Sequence, residues 1–87
     1  MRTSTKRGVR FSPDEGSAWL RARMAELGIA GLAELEVRSG IDRGSISRYF
    51  RQERSASVSV IEPLCEALVV SPETLLVALG AIDRKSR

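Results

Sequence analysis

Hydrophobic and polar positions along this chain follow the period of α-helices in five segments that are separated by short breaks. The first segment carries Leu20, Met24 and Leu27 at the i, i+4 and i+7 spacing that forms one inward stripe. The predicted helices cover residues 12–27, 32–39, 43–50, 57–68 and 71–80. The pattern therefore predicts an all-α chain.

The starts of these helices are marked by the same residue types. Residues 12–15 read serine, proline, aspartate and glutamate, which are typical of a cap, a first helical position and an acidic first turn. Residues 71–73 repeat this order. Ser57 or Ser59 caps the fourth helix, and Pro63 is expected near its first turn because proline disrupts a helix interior.

Two short helices at the centre of the chain are joined by a tight turn. Gly40 supplies the positive φ that a sharp helix exit requires, and Asp42 is a good cap for the next helix. In that helix Ile46, Tyr49 and Phe50 are predicted to face inward. Its other face is then left to arginine, serine and glycine, a composition that suits the major groove of DNA.

Composition limits the remaining possibilities. Eighty-seven residues, 43 % apolar and 29 % charged, make one small globular domain. The single Cys65 excludes an intramolecular disulfide and is expected to be a buried small hydrophobe. The chain has no histidine, no phosphate-binding glycine loop and no paired acids, so we expect no catalytic residue, no metal ligand and no cofactor. No apolar run approaches a membrane span, and we expect a cytoplasmic protein.

Charge is distributed unevenly along the chain, although the net charge is only +3. Residues 1–10 carry four basic residues and no acid, and residues 38–54 carry five arginines against two acids. The rest of the helical body is acidic. This separation of charge favours nucleic acid as the partner.

At residues 32–48 the sequence reads LAEL-x-x-x-SGI-x-x-x-x-ISR, and SVSVIEPLCEALVVSPETLL follows from residue 57. These motifs resemble the λ-repressor and Cro-like helix-turn-helix family, and the resemblance covers about residues 20–79. It implies a compact five-helix DNA-binding domain that binds double-stranded DNA. Three positions depart from the family pattern: Glu36 replaces a small alanine, Leu32 a polar residue and Val69 a glycine.

The resemblance also implies which residues contact DNA. The base-contacting set would be Arg43, Gly44, Ser47 and Arg48. The backbone-contacting set would be Gly31, Leu32, Ser45, Arg51, Arg54, Ser55 and Ser57. A plain surface loop remains an alternative for residues 51–57. Glu36 is expected to need a cationic partner, and an arginine of the recognition helix is the candidate.

Three regions are predicted, namely a flexible basic arm at 1–11, the helix-turn-helix domain at 12–82 and a basic tail at 83–87. Lys6, Arg7 and Arg10 are candidates for contacts with DNA, with a solvated tail as the alternative. The fifth segment is apolar almost all round, which predicts a homodimer interface through Leu75, Leu79 and Ile82, at least on DNA. Alternatively, residues 81–87 fold back over it.

The function favoured at this stage is a small sequence-specific repressor of the phage Cro or repressor type, bound to an inverted-repeat operator. We expect no small-molecule effector, because no part of the 87 residues resembles a sensory domain. The alternative is a helical protein-interaction module, such as an antitoxin or adaptor, that uses the apolar C-terminal helix.

Overall fold

The computed structural model describes residues 10–84, and this part of the chain contains five α-helices and no strand. The helices are α1 (Pro13–Leu27), α2 (Leu32–Ser39), α3 (Arg43–Phe50), α4 (Val58–Leu68) and α5 (Pro72–Ala78). The predicted all-α, five-helix fold is confirmed, and α5 ends at Ala78, two residues before the predicted Gly80. Across residues 10–84, no helix has the length and apolar character needed to cross a membrane.

Side-chain caps fix the starts of α1 and α5. The Ser12 hydroxyl accepts a hydrogen bond from the Glu15 N–H at 3.1 Å, and Glu15 Oε1 accepts from the Ser12 N–H at 2.8 Å. This reciprocal pair is a capping box, and it lies at the helix start that the sequence predicted. The Ser12 N–H, and then the Arg84 guanidinium, hold the pKa of Glu15 below its usual value. At α5, Ser71 accepts from the Thr74 N–H at 3.1 Å.

The core lies where α1 crosses α3, α4 and α5, and where α2 packs on α3 and α4. Its largest fully buried side chains are Phe50, Leu35, Ile46, Leu64, Leu68 and Leu75. Cys65 is buried among them, as predicted. Trp19 stacks on Phe50, with ring centroids 6.0 Å apart. Gly16 permits a close approach of backbones, because a Cβ there would lie 2.8 Å from the carbonyl oxygens of Phe50 and Ala78. These contacts fix α1 against the end of α3.

The apolar surface of α5 is largely used inside the domain. Leu75 is fully buried and Leu79 is only 7 % exposed. The sequence-based assignment of these two residues to a dimer interface is therefore corrected, because they have almost no surface to give to a second chain. Ile82, the third residue of that prediction, is half-buried.

α4 has a proline inside the helix and an unusual backbone conformation at its C-terminal end. Pro63 is the sixth residue of α4 and lies inside it rather than in the first turn, and Ser59, whose carbonyl loses a donor, is exposed. Val69 ends the helix at φ 55°, a left-handed conformation that β-branched residues rarely adopt. Arg23 of α1 donates to the carbonyl oxygens of Leu68 and Val69 at 2.9 Å each. Arg23 thus closes the C-terminus of α4.

Candidate nucleic-acid interface

The turn between α2 and α3 adopts the geometry that its residue types predicted. Gly40 ends α2 at φ 76°, and its N–H donates to the Glu36 carbonyl at 2.8 Å. The Asp42 carboxylate accepts from the Ser45 N–H at 3.0 Å and so caps α3. Because both ends of the turn are fixed, the direction in which α3 leaves α2 is set by local contacts.

The inward face of α3 is formed by Ile46, Tyr49 and Phe50, which are at most 8 % exposed. This confirms the predicted inward face and leaves the residues of the predicted base-contacting set on the outer side. Arg43 is exposed, whereas Gly44 and Ser47 are partly exposed. α3 therefore presents a basic and polar surface with small residues between the arginines, which suits close approach to base edges.

Arg48 lies back along α3 toward its N-terminus. A Cβ on Gly44 would come within 3.5 Å and 3.6 Å of the two terminal nitrogens of Arg48, and within 3.0 Å of Asp42 Oδ2. A Cβ at this position would therefore touch the guanidinium at ordinary van der Waals distance and would lie tightly only against the Asp42 carboxylate. The Nε atom of Arg48 is buried and has no hydrogen-bond partner among residues 10–84. Its N–H is not used by an internal acceptor in the described structure.

Arg43 is presented differently. Its Nε lies 3.7 Å from Oε1 of Glu36, which confirms the expectation that an arginine of the recognition helix pairs with this acid. Arg38, the nearer arginine in sequence, instead pairs with Glu34 at 2.6 Å. The Ala30 N–H, and then Arg38, hold the pKa of Glu34 below its usual value. Glu36 therefore faces α3. Glu34 instead accepts from the Ala30 N–H, which precedes α2, and pairs with Arg38 of α2.

The loop after α3 contributes two arginines that were predicted to contact the DNA backbone. Arg54 donates to the Ser45 hydroxyl at 3.3 Å, which brings the loop against the first turn of α3. Arg51 lies 3.4 Å from Glu53. The fold thereby places Arg51 and Arg54 beside the same helix that carries Arg43 and Arg48.

Two serines of the predicted backbone-contacting set complete this loop. Ser55 and Ser57 are exposed. Ser57 is the N-cap residue of α4, but its hydroxyl is 2.9 Å from the Ser59 hydroxyl and accepts no hydrogen bond from the first N–H groups of the helix.

An apolar groove of about 460 Å³, here called the α1–α3 groove, is lined by α1, the start of α2 and α3. Its rim brings together Gly31 and Leu32 at the start of α2 with Ser47 of α3. Arg21 of α1 lines the same groove. The proximity of Arg21 to Ser47 could not be predicted from local sequence, because it depends on the packing of α1 against α3.

The ends of the chain meet near the start of α1. Arg10, one of the three arm residues predicted to contact DNA, pairs with Asp83 at 3.0 Å. Arg84 pairs with Glu15 at 3.1 Å and lies 4.8 Å from the centre of the Phe11 ring. Residues 83 and 84 thus pack against the helical body. Lys6 and Arg7, the other two arm candidates, lie outside the described residues.

Two short helices around a glycine turn, with a capped second helix that presents arginines outward, define the helix-turn-helix class of DNA-binding proteins. A family model described as the Cro/C1-type HTH DNA-binding domain matches residues 20–79, and the chain belongs to this family. It is a DNA-binding transcription regulator of the Cro/C1 type. No curated protein and no solved structure gave a significant match.

Proposed function

We propose that this regulator is a small repressor that reads its operator with α3 in the major groove of double-stranded DNA. The observation that carries the proposal is the outer face of α3, where Arg43 and Arg48 flank Gly44 while the apolar face is fully used in the core. Arginine forks bind the O6 and N7 atoms of guanine, which makes these two residues the principal base readers. Ser47 lies on the same face and is the third candidate.

The DNA backbone would be held on both sides of α3. On one side Gly31, Leu32 and Ser47 line the α1–α3 groove, and we add Arg21 because it lines that groove too. The backbone N–H groups at the start of α2 are suited to phosphate, since Gly31 offers no side-chain cap.

On the other side the loop after α3 would follow a second stretch of backbone. The predicted contacts there are Ser45, Arg51, Arg54, Ser55 and Ser57. Arg54 already lies against Ser45 at the first turn of α3, which supports this arrangement. These contacts would fix the register of α3 without reading sequence.

Binding as a homodimer to an inverted repeat is the arrangement we propose for the operator. One eight-residue helix with three outward base-facing side chains reads only a few base pairs, so a second copy is needed for a longer site. The half-sites would be about one helical turn, roughly 34 Å, apart. Of the three residues predicted to form the dimer contact, only Ile82 is retained.

The structure gives less support to the alternative function, a helical protein-interaction module. It required an apolar face of α5 to be free for another protein, but Leu75 and Leu79 of that face are core residues. The basic outer face of α3 is unexplained by an adaptor.

Selection from a randomised duplex pool tests the proposal. The full chain is mixed with the pool at several salt concentrations, and bound duplexes are recovered and sequenced. We expect an inverted repeat, with affinity that falls steeply as salt rises because counterions are released from the phosphates. A single asymmetric half-site would contradict the dimer. Equal recovery of all sequences would contradict sequence-specific regulation.

A further inference from the structure

Glu36 brings a negative charge to the edge of the proposed DNA-reading face. The Glu36 carboxylate is half-buried, and Arg43 is the one cation within 4 Å of it in the described part of the chain. This contact joins α2 to α3 at the first residue of the recognition helix. An acid in this position reduces the general attraction of the protein to DNA phosphates. A benefit to DNA binding would have to offset this loss.

The geometry of the pair restrains Arg43 without withdrawing it. Oε1 of Glu36 is nearest to Nε of Arg43, and the 3.7 Å separation is that of an ion pair rather than a hydrogen bond. The Arg43 side chain remains 61 % exposed. Contact along the Nε edge leaves the two terminal nitrogens of Arg43 as a pair of donors, and two parallel donors are what a guanine contact requires.

The contrast with a phosphate contact explains what the restraint achieves. A freely moving arginine at the edge of the groove can reach a nearby phosphate on any sequence, which strengthens non-specific binding. Such a swing would take Arg43 away from Glu36. An exposed ion pair of this kind favours the restrained position by about 1.4- to 5-fold. The restraint therefore lowers the affinity for non-specific DNA more than it lowers the affinity for the correct site.

We infer that Glu36 is a positioning residue that raises sequence discrimination by holding Arg43 toward the base edges and away from the phosphates. This inference rests on the proposed function, because it assumes that α3 enters the major groove. It also assigns a role to the one acid that departs from the family's small residue at this position.

The test compares Glu36→Gln with the natural chain on two duplexes, the selected site and a scrambled duplex of the same length. Removal of the carboxylate should tighten binding to the scrambled duplex by about two- to fivefold. Affinity for the selected site should change less, so the ratio of the two affinities falls. On the scrambled duplex, the slope of log affinity against log salt should become steeper by about 0.9, because Arg43 gains a phosphate.

Glu53→Gln is the matched control. Glu53 also pairs with an arginine beside α3, at 3.4 Å, but its partner is Arg51 of the loop rather than a base reader. The control removes the same charge, so it should tighten binding to both duplexes alike and leave their ratio unchanged. Glu36→Asp is the second variant. Aspartate keeps the negative charge but holds it too far from Arg43 to restrain that side chain. This variant should lower the ratio of the selected-site affinity to the scrambled-duplex affinity without tightening binding to both duplexes.

Three results would overturn the inference. The first is a Glu36→Gln variant that behaves like Glu53→Gln, since charge alone would then explain its effect. The second is an undiminished Glu36→Gln effect in an Arg43→Ala background, since Glu36 would then not act through Arg43. The third is a natural chain that prefers no sequence, which overturns the proposed function itself and is recognised before any variant is compared.

Discussion

Arg43 and Arg48 project from the same helix toward the same proposed partner, but the fold presents them in different ways. Arg43 is exposed and lies beside the Glu36 carboxylate of the neighbouring helix. Arg48 is half-buried, lies over Gly44, and has an Nε without a partner among residues 10–84. Arg43 is therefore restrained by an opposite charge, whereas Arg48 is packed against the first turn of its own helix. Residue type alone does not define a base reader, because its surroundings decide how freely it moves.

The largest effect is expected from Arg48, which has no internal acceptor at Nε to lose when it binds DNA. Arg48→Ala should abolish the preference at one base pair of each half-site, a loss of about 1–3 kcal/mol, which is about 5- to 160-fold. Fluorescence anisotropy with single-base variants of the selected site measures this. Arg48→Lys is the matched control, since lysine keeps the charge but lacks the fork. If lysine preserved the base preference, bidentate reading by Arg48 would be contradicted.

A smaller effect is expected from Gly44→Ala, which separates binding from stability. Alanine is favoured over glycine in helices by up to about 1 kcal/mol, but its Cβ would lie 3.0 Å from the Asp42 carboxylate that caps α3. The midpoint of thermal unfolding should therefore rise by less than that gain alone would give. The same Cβ would lie at ordinary van der Waals distance from Arg48, which should keep its position and its base preference. The methyl group would instead limit the approach of α3 to the base edges, so affinity for the selected site should fall severalfold while the preferences at both arginine positions stay. Loss of the preference at the Arg48 position alone would mean that Gly44 holds that arginine.

The coupling of Glu36 to each arginine sharpens the comparison further. In a double-mutant cycle, Glu36→Gln and Arg48→Ala should be additive within about 0.3–0.5 kcal/mol, because these residues share no contact. Glu36→Gln and Arg43→Ala should instead be coupled by roughly 0.2–1 kcal/mol. The measurement is the affinity for the scrambled duplex by titration, because release of Arg43 from Glu36 is expected to act mainly there. Equal coupling to both arginines would indicate a general field effect of the Glu36 charge.

The smallest effect on binding is expected from Val69→Gly, which changes stability far from α3. Glycine removes the cost of a β-branched residue at φ 55°, and Arg23 still donates to the same backbone carbonyls. We expect a gain of about 1 kcal/mol, which is about 4–8 °C in a domain of this size. Calorimetry measures the gain, and anisotropy should show unchanged base preferences at both arginine positions. A change in either preference would show that the comparison depends on overall stability.

The predicted parts of the fold are those that depend on neighbours in sequence. The Ser12 and Asp42 caps, the left-handed Gly40 and the inward Ile46 follow from local residue types and helical spacing. The contact between Glu36 and Arg43 was also within reach, because one tight turn separates the two residues. These features could be read before any packing was known.

The features that sequence reasoning missed depend on distant packing. Arg23 closes α4 across 46 positions of sequence, and no local pattern indicates such a partner. Leu75 and Leu79 were assigned to a dimer because a short helix that is apolar nearly all round does not reveal which side is covered. The structure buries both residues in the core. Arg21 gained its place only through the crossing of α1 and α3.

The most direct test of this account is a complete profile of single-base changes across the selected site, measured for the natural chain, Arg43→Ala and Arg48→Ala. We predict that each variant flattens the preference at its own base pair in each half-site and leaves the other intact. The contradicting result is an even loss of affinity at every position for both variants, which would assign these arginines to the DNA backbone and remove base reading from α3.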